Sequence, residues 1–196
     1  MDEQDGWLRL LERTGAMLTG HFLLSSGQHS GRYIQCAKVL EHPENAARLG
    51  REIAQQMDVE MDRVASPPLG GILIGYEVAR YSKVPFLFPE RAPDGVFQLR
   101  RGFTLNDQER ICIVEDVITT GRTTRELISL IKGLGAEPVA LGCIVDRSEK
   151  HEIEGLPIHS VLQLHIPTYA HDECPLCQRN VSLVYPGSRA TTKGER

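Results

Sequence analysis

The densest chemistry in the chain lies at residues 111–124, which read Ile-Cys-Ile-Val-Glu-Asp-Val-Ile-Thr-Thr-Gly-Arg-Thr-Thr. Glu115 and Asp116 are adjacent carboxylates. Thr119, Thr120, Thr123 and Thr124 offer hydroxyl donors, and Gly121 permits a turn with close backbone approach. Residues 111–114 read as a buried strand with the two acids following at its C-terminal end, and residues 125–131 are apolar at helical spacing. A loop from strand to helix aims main-chain N–H groups at one point, and the helix start adds partial positive charge there. The result is a cradle for phosphate, preceded by acids suited to a polyol or a metal-bound sugar. A ribose phosphate has both features. The competing reading makes the threonines helix caps and leaves the acids solvated. The P-loop string of nucleoside-triphosphate enzymes does not occur.

The elements that position this run follow from its flanks. Apolar spacing predicts a short helix over residues 7–17, a hairpin over 20–35 and a helix from Pro43, at its first turn, to about Met57. Strands are expected at 64–65, 85–88, 111–114, 139–145 and 158–162, and helices at 72–81 and 123–134, with Gly135 as the cap of the latter. Strands alternating with helices imply an α/β fold, a parallel sheet flanked by helices with a small N-terminal hood. Right-handed crossovers then bring the strand C-termini to one edge, where ligands bind. The loops at 66–71, 89–102 and 115–124 all follow strands and should meet there. The chain reads as a single domain, 1–196, with a hood at about 1–42, a core at about 43–165 and a C-terminal segment at 166–196. The small polar residues after Pro186 read as a mobile tail.

Bulk properties narrow the function. The chain has 196 residues, 41% hydrophobic and 24% charged, an ordinary globular make-up. A formal net charge of -4 argues against a nucleic-acid binder. No apolar stretch would span a bilayer, and the acidic start is unlike a secretory signal. A cytoplasmic enzyme is the simplest reading. Of five cysteines, Cys36, Cys112 and Cys143 read as buried small hydrophobes. Cys174 and Cys177 form a Cys-Pro-Leu-Cys pair, read first as reduced thiols in a C-terminal loop. The alternative is half of a zinc site, which needs four ligands; His171 and His165 are near in sequence. A redox pair would open a helix after a strand, and this one is not expected to.

The run from Glu115 to Thr124 resembles the phosphoribosyl-diphosphate (PRPP) signature of type I phosphoribosyltransferases. The resemblance implies that Glu115 and Asp116 contact the ribose hydroxyls, that Thr119, Thr120, Gly121, Arg122 and Thr123 wrap the 5-phosphate, and that Val117 and Ile118 belong to the same PRPP-binding run. The loop Ser66-Pro67-Pro68-Leu69-Gly70-Gly71 would hold the pyrophosphate through Pro68, Leu69 and Gly70, without the lysine common there. An X-Pro bond in it could be cis. Residues 20–34 resemble the hood of the orotate-using branch, which places Tyr33 and Ile34 at the base; Ser25 stands where a lysine is common. The arginine of Asp146-Arg147 matches the one that recognises orotate, beside Thr119. Guanidinium suits the carboxylated base because it grips planar oxygens through paired hydrogen bonds.

The stretch from Pro89 onward resembles the family's mobile lid, usually rich in lysine and histidine. Here Arg91, Arg100 and Arg101 are its only cations, and Asp94 stands where a lysine is common. With Asp116, these arginines are the catalytic candidates. The expected substrates are PRPP and orotate, the cofactor Mg²⁺, which suits diphosphate oxygens, and the assembly a homodimer. No nucleic-acid or membrane partner is expected. The alternatives are a transferase for a purine or other base, and a PRPP-sensing regulator without catalysis.

Overall fold

The computed structural model describes residues 3–24 and 26–186. Ser25 and the tail from 187 onward, on which two expectations above fall, lie outside the described residues.

The chain opens with α1 (Glu3–Arg13). This helix ends earlier than its apolar spacing suggests, because Gly15 takes a left-handed turn (φ +71°) and Met17 starts a strand instead. β1 (Met17–Leu23) and β2 (His29–Ile34) form the expected hairpin, antiparallel with Leu23 opposite His29. A one-turn helix that periodicity does not reveal, α2 (Ala37–Leu40), leads to α3 (Pro43–Met57), whose proline sits at the first turn. β3 (Arg63–Ala65), α4 (Gly70–Ser82) and β4 (Phe86–Leu87) follow. The expected lid is a small hairpin, β5 (Glu90–Arg91) against β6 (Phe97–Gln98).

The signature strand β7 runs from Arg110 to Ile118, so Glu115 and Asp116 lie within it rather than after it. Pairing with the next strand continues past both acids, with Glu115 opposite Cys143 and Ile118 opposite Asp146. Apolar residues alone mark the buried part of a strand, not where its ladder ends. α5 (Arg122–Gly133) and β8 (Glu137–Asp146) come next, separated by Gly135 at φ +85°. β9 (Glu152–Ile153), β10 (Leu156–Gln163), β11 (Thr168–Tyr169) and the one-turn α6 (Pro175–Gln178) complete the chain.

The main sheet has the order β4-β3-β7-β8-β10-β9, parallel except for the antiparallel edge strand β9. Alternation along β7 builds two cores, as the period of a strand requires. Cys112 and Val114 pack with α3 and α4 through Leu49, Ile53, Ile74 and Val78. Ile111 and Ile113 pack on the other face with Leu127, Ile128 and Ile131 of α5. Strand order reverses between β3 and β7, which opens a crevice at their C-terminal ends. The hood is a separate sheet, β1-β2-β11, so residues from both ends of the chain build it.

Candidate active site

The crevice is lined by the two loops that follow β3 and β7. The start of α4 also approaches the end of β7 closely: a Cβ on Gly70 would come within 2.6 Å of Asp116 Oδ1. Position 70 must therefore lack a side chain for the start of α4 to lie against this carboxylate. Asp116 Oδ1 accepts a hydrogen bond from the Val117 N–H at 2.9 Å. Glu115 is 8% exposed. Burial, and then the neighbouring Asp116 charge, push the Glu115 carboxyl well above the ordinary carboxylate range; burial raises Asp116 as well. Among the described residues no cationic side chain offsets either acid, so hydroxyl donors or a cation from a ligand would relieve both.

The loop at 119–121 ends in Gly121, at φ +70°, as the N-cap of α5. No side chain caps this helix, and its first turn holds no acid. The threonines are thus not consumed as caps. Thr119 and Thr120 are exposed, and Thr124 is buried. Thr120 Oγ1 accepts only a long 3.4 Å contact from the Arg122 N–H, and Arg125 Nη2 ties the loop by donating to the Thr120 carbonyl at 2.8 Å. Helix-start N–H groups and the Thr119 and Thr120 hydroxyls are left available at this turn, while Arg122 pairs with Glu126 at 3.0 Å. Ile118, by contrast, is buried in the core, and its carbonyl accepts from the Arg147 N–H at 2.8 Å.

Arg147 stands just beyond β8, beside the end of β7. Its Nε is buried without a hydrogen-bond partner, and burial lowers the guanidinium's pKa. A buried donor left unpaired is costly, so a planar anion here would satisfy it. In the hood, burial first and then the Asp116 charge raise the Tyr33 phenol above its ordinary range. Ile34 is 8% exposed and packs in the core, so its side chain is not presented to a ligand.

In the loop after β3, Leu69 is 84% exposed and Ser66 Oγ is buried without a partner. The cis bond joins Pro68 to Leu69, one position after the X-Pro bond that the sequence suggests. In the lid, Arg91 is held by Glu126 of α5 at 2.7 Å and lies over the Phe97 ring. Arg101 pairs with Glu90 at 2.6 Å. Arg100 is exposed, and among the described residues it has no side-chain partner. The lid hairpin therefore rests on the signature helix with one cation free. Two open concavities, of about 450 and 670 Å³, lie elsewhere, one by Asp58 and Arg110 near the strand N-termini and one by α1.

His165 does not join the cysteine pair; it bonds to Glu149 through Nδ1. His171 Nδ1 lies 3.7 Å from Cys177 Sγ, but it is exposed. The pair does open a helix after a strand, contrary to expectation, since Cys174 is the N-cap of α6 and β11 precedes it. Propensity gives no sign of a helix only one turn long.

Residues 37–161 match the phosphoribosyl transferase domain family, and the chain belongs to that family. Within it, the chain is 45% identical over 181 residues to the orotate phosphoribosyltransferase of Thermotoga maritima, covering 92% of this chain and 96% of that one. The orotate phosphoribosyltransferase of Caldanaerobacter subterraneus is 45% identical over 188 residues, 95% and 98% of the two chains. The crystal structure of orotate phosphoribosyltransferase from Aeropyrum pernix superposes with a TM-score of 0.66 at 27% identity, covering 80% of this chain and 92% of that one.

Proposed function

We infer that the protein transfers the phosphoribosyl group from PRPP to orotate, giving orotidine 5-monophosphate and pyrophosphate, a step of pyrimidine nucleotide synthesis. Relatives with that name share almost the whole length of the chain. The observation that carries the choice of base is Arg147, whose buried Nε–H has no acceptor among the described residues.

The 5-phosphate sits on the N–H and hydroxyl groups of residues 119–123, and Glu115 and Asp116 accept hydrogen bonds from the ribose hydroxyls. The main chain at 68–70 takes the diphosphate. Arg147 and Thr119 orient orotate, and Tyr33 closes over it. The C1–O bond to diphosphate breaks first, its electron pair leaving with the diphosphate, and the sugar gains oxocarbenium character. Orotate N1 then bonds to C1 and loses its proton to solvent. The protein's part is positioning and charge stabilisation. Arg100, the unpaired lid cation, is assigned to the leaving group, while Arg91 and Arg101 hold the hairpin in shape.

Glu115 and Asp116 are oxygen donors without a cationic partner among the described residues, so the residues present fit the Mg²⁺ that a diphosphate substrate implies. Bound there with the diphosphate, Mg²⁺ would offset charge on the departing oxygens. Two further assignments complete the reading. Free cysteines suit a reducing cytoplasm, and no described helix is long and apolar enough to cross a membrane. A second copy of the chain covers the exposed stripe of Leu69, Leu73 and Tyr76 on α4.

The test is turnover of a panel of orotate, uracil, adenine and hypoxanthine with PRPP and Mg²⁺. Orotate alone should react. Arg147→Ala should raise KM for orotate about 30-fold or more, the effect of removing one member of a buried charge pair, and leave PRPP binding unchanged. PRPP binding without turnover of any base would favour the regulator.

A further inference from the structure

Four side chains from opposite ends of the chain meet at a point that the transfer reaction does not use. They are His21 on β1, His29 on β2, and Cys174 and Cys177 around α6, and one ligand atom from each lies within 4.8 Å of the other three. His21 Nε2 is 2.8 Å from His29 Nδ1, 3.5 Å from Cys174 Sγ and 3.7 Å from Cys177 Sγ. Cys177 Sγ is 3.3 Å from His29 Nδ1. Tetrahedral zinc, with bonds of about 2.3 Å to sulfur and 2.0–2.1 Å to nitrogen, separates its ligand atoms by roughly 3.3–3.8 Å. The two imidazoles would have to part by about half an ångström on that geometry, and the whole set, now within 4.8 Å, would close slightly around the ion.

Two further observations point to a metal. His21 Nδ1 lies 2.7 Å from the Val181 carbonyl. A carbonyl only accepts, so Nδ1 carries the proton and Nε2 turns its lone pair toward the cysteines. A second hydrogen bond that fixes the ligating tautomer is the usual support of a metal-bound imidazole. The other observation concerns what holds the C-terminal segment. From Pro167 to Pro186 the only buried residue is Cys174, and α6 buries no apolar side chain. Apolar packing therefore offers little to offset the entropy of ordering this stretch. A metal bond from Cys174 and Cys177 to the hood would do so, as in small domains that fold around zinc.

We propose that His21, His29, Cys174 and Cys177 form a structural zinc site that staples the C-terminal segment to the hood. Two thiolates and two neutral imidazoles balance the charge of Zn²⁺, which lets the site stay buried. Four protein ligands leave no open position, so the metal has no catalytic role. Its service is indirect: the site anchors β2, the strand that also carries Tyr33. His171 stands beside Cys177 outside the set.

The test is metal analysis of the full-length protein purified without chelator and supplied with one equivalent of Zn²⁺, together with a thiol count. One zinc per chain is expected, with all five cysteines reactive once the protein is denatured. Because zinc is spectroscopically silent, Co²⁺ is substituted into the wild-type protein. It should show the visible bands of a tetrahedral site and thiolate-to-cobalt charge transfer. Cys174→Ser with Cys177→Ser should abolish both signals, and His171→Ala should keep them. A chain that takes up no zinc, a Cys174–Cys177 disulfide in the purified protein, or cobalt bands without charge transfer would overturn the proposal. The cobalt spectrum of the wild type decides the matter even if the double variant does not fold.

Discussion

Asp116 is held in a state that suits its ligand better than its own fold. Its carboxyl is raised above the ordinary range by burial, so in the ligand-free protein ionising it costs stability. The sign is set by linkage: below the unfolded-state value of the acid both states are protonated and nothing is lost. As pH rises from there through the folded-state value, the unfolded chain releases its proton first and stability falls. Asp116→Asn removes this penalty while its amide oxygen can still accept from the Val117 N–H. The variant should therefore melt higher than the parent at about pH 7.5, by about 2–4 °C if the gain is ~1 kcal/mol, with the difference shrinking toward about pH 4. Turnover should fall about 100-fold or more, as expected for weakened positioning of the sugar. Melting curves across pH and steady-state rates check both halves. A variant that is less stable at neutral pH would show that the carboxylate is well solvated.

The lid works as an element because two of its three arginines are already engaged. Arg91 joins the hairpin to Glu126 of α5, and Arg101 closes on Glu90, so the proposed phosphate site at the start of α5 and the hairpin share one helix. Exposed ion pairs of this kind contribute little to stability. Their effect is to aim the loop that carries Arg100. Arg100→Ala should lower kcat about 100-fold or more, the scale of losing one donor to a developing negative charge, with PRPP affinity nearly intact. Arg101→Ala should cost less than about tenfold, since it removes only an exposed pair. Pre-steady-state and steady-state kinetics of both variants separate the roles, and equal losses would assign the leaving group to neither in particular.

At the scale of the molecule, the exposed stripe on α4 adjoins the diphosphate loop, since Leu69 caps that helix. Leu73 and Tyr76 are each more than half exposed, and neighbouring apolar side chains on one face suit an interaction surface. If a second copy covers it, Tyr76→Arg should weaken the dimer at least about tenfold, as for a central aromatic contact. Sedimentation equilibrium reads this directly, and a wild-type chain that is monomeric at every accessible concentration would remove the interface.

The sequence alone determined the order of strands and helices in the core and the phosphate loop, because hydrophobic period and loop chemistry are local signals. Residues 111–124 declare a strand, two acids and a helix start wherever they occur. Three matters were decided only by tertiary structure. Gly70 against Asp116 depends on the start of α4 and the end of β7, 46 residues apart, meeting at the reversal between β3 and β7. The unsatisfied Nε of Arg147 depends on burial, which no local pattern encodes. The partners of Cys174 and Cys177 are not the histidines nearest in sequence but His21 and His29, brought in because β11 pairs with β2. Long-range pairing of this sort joins residues by sheet register, and spacing along the chain carries no record of it.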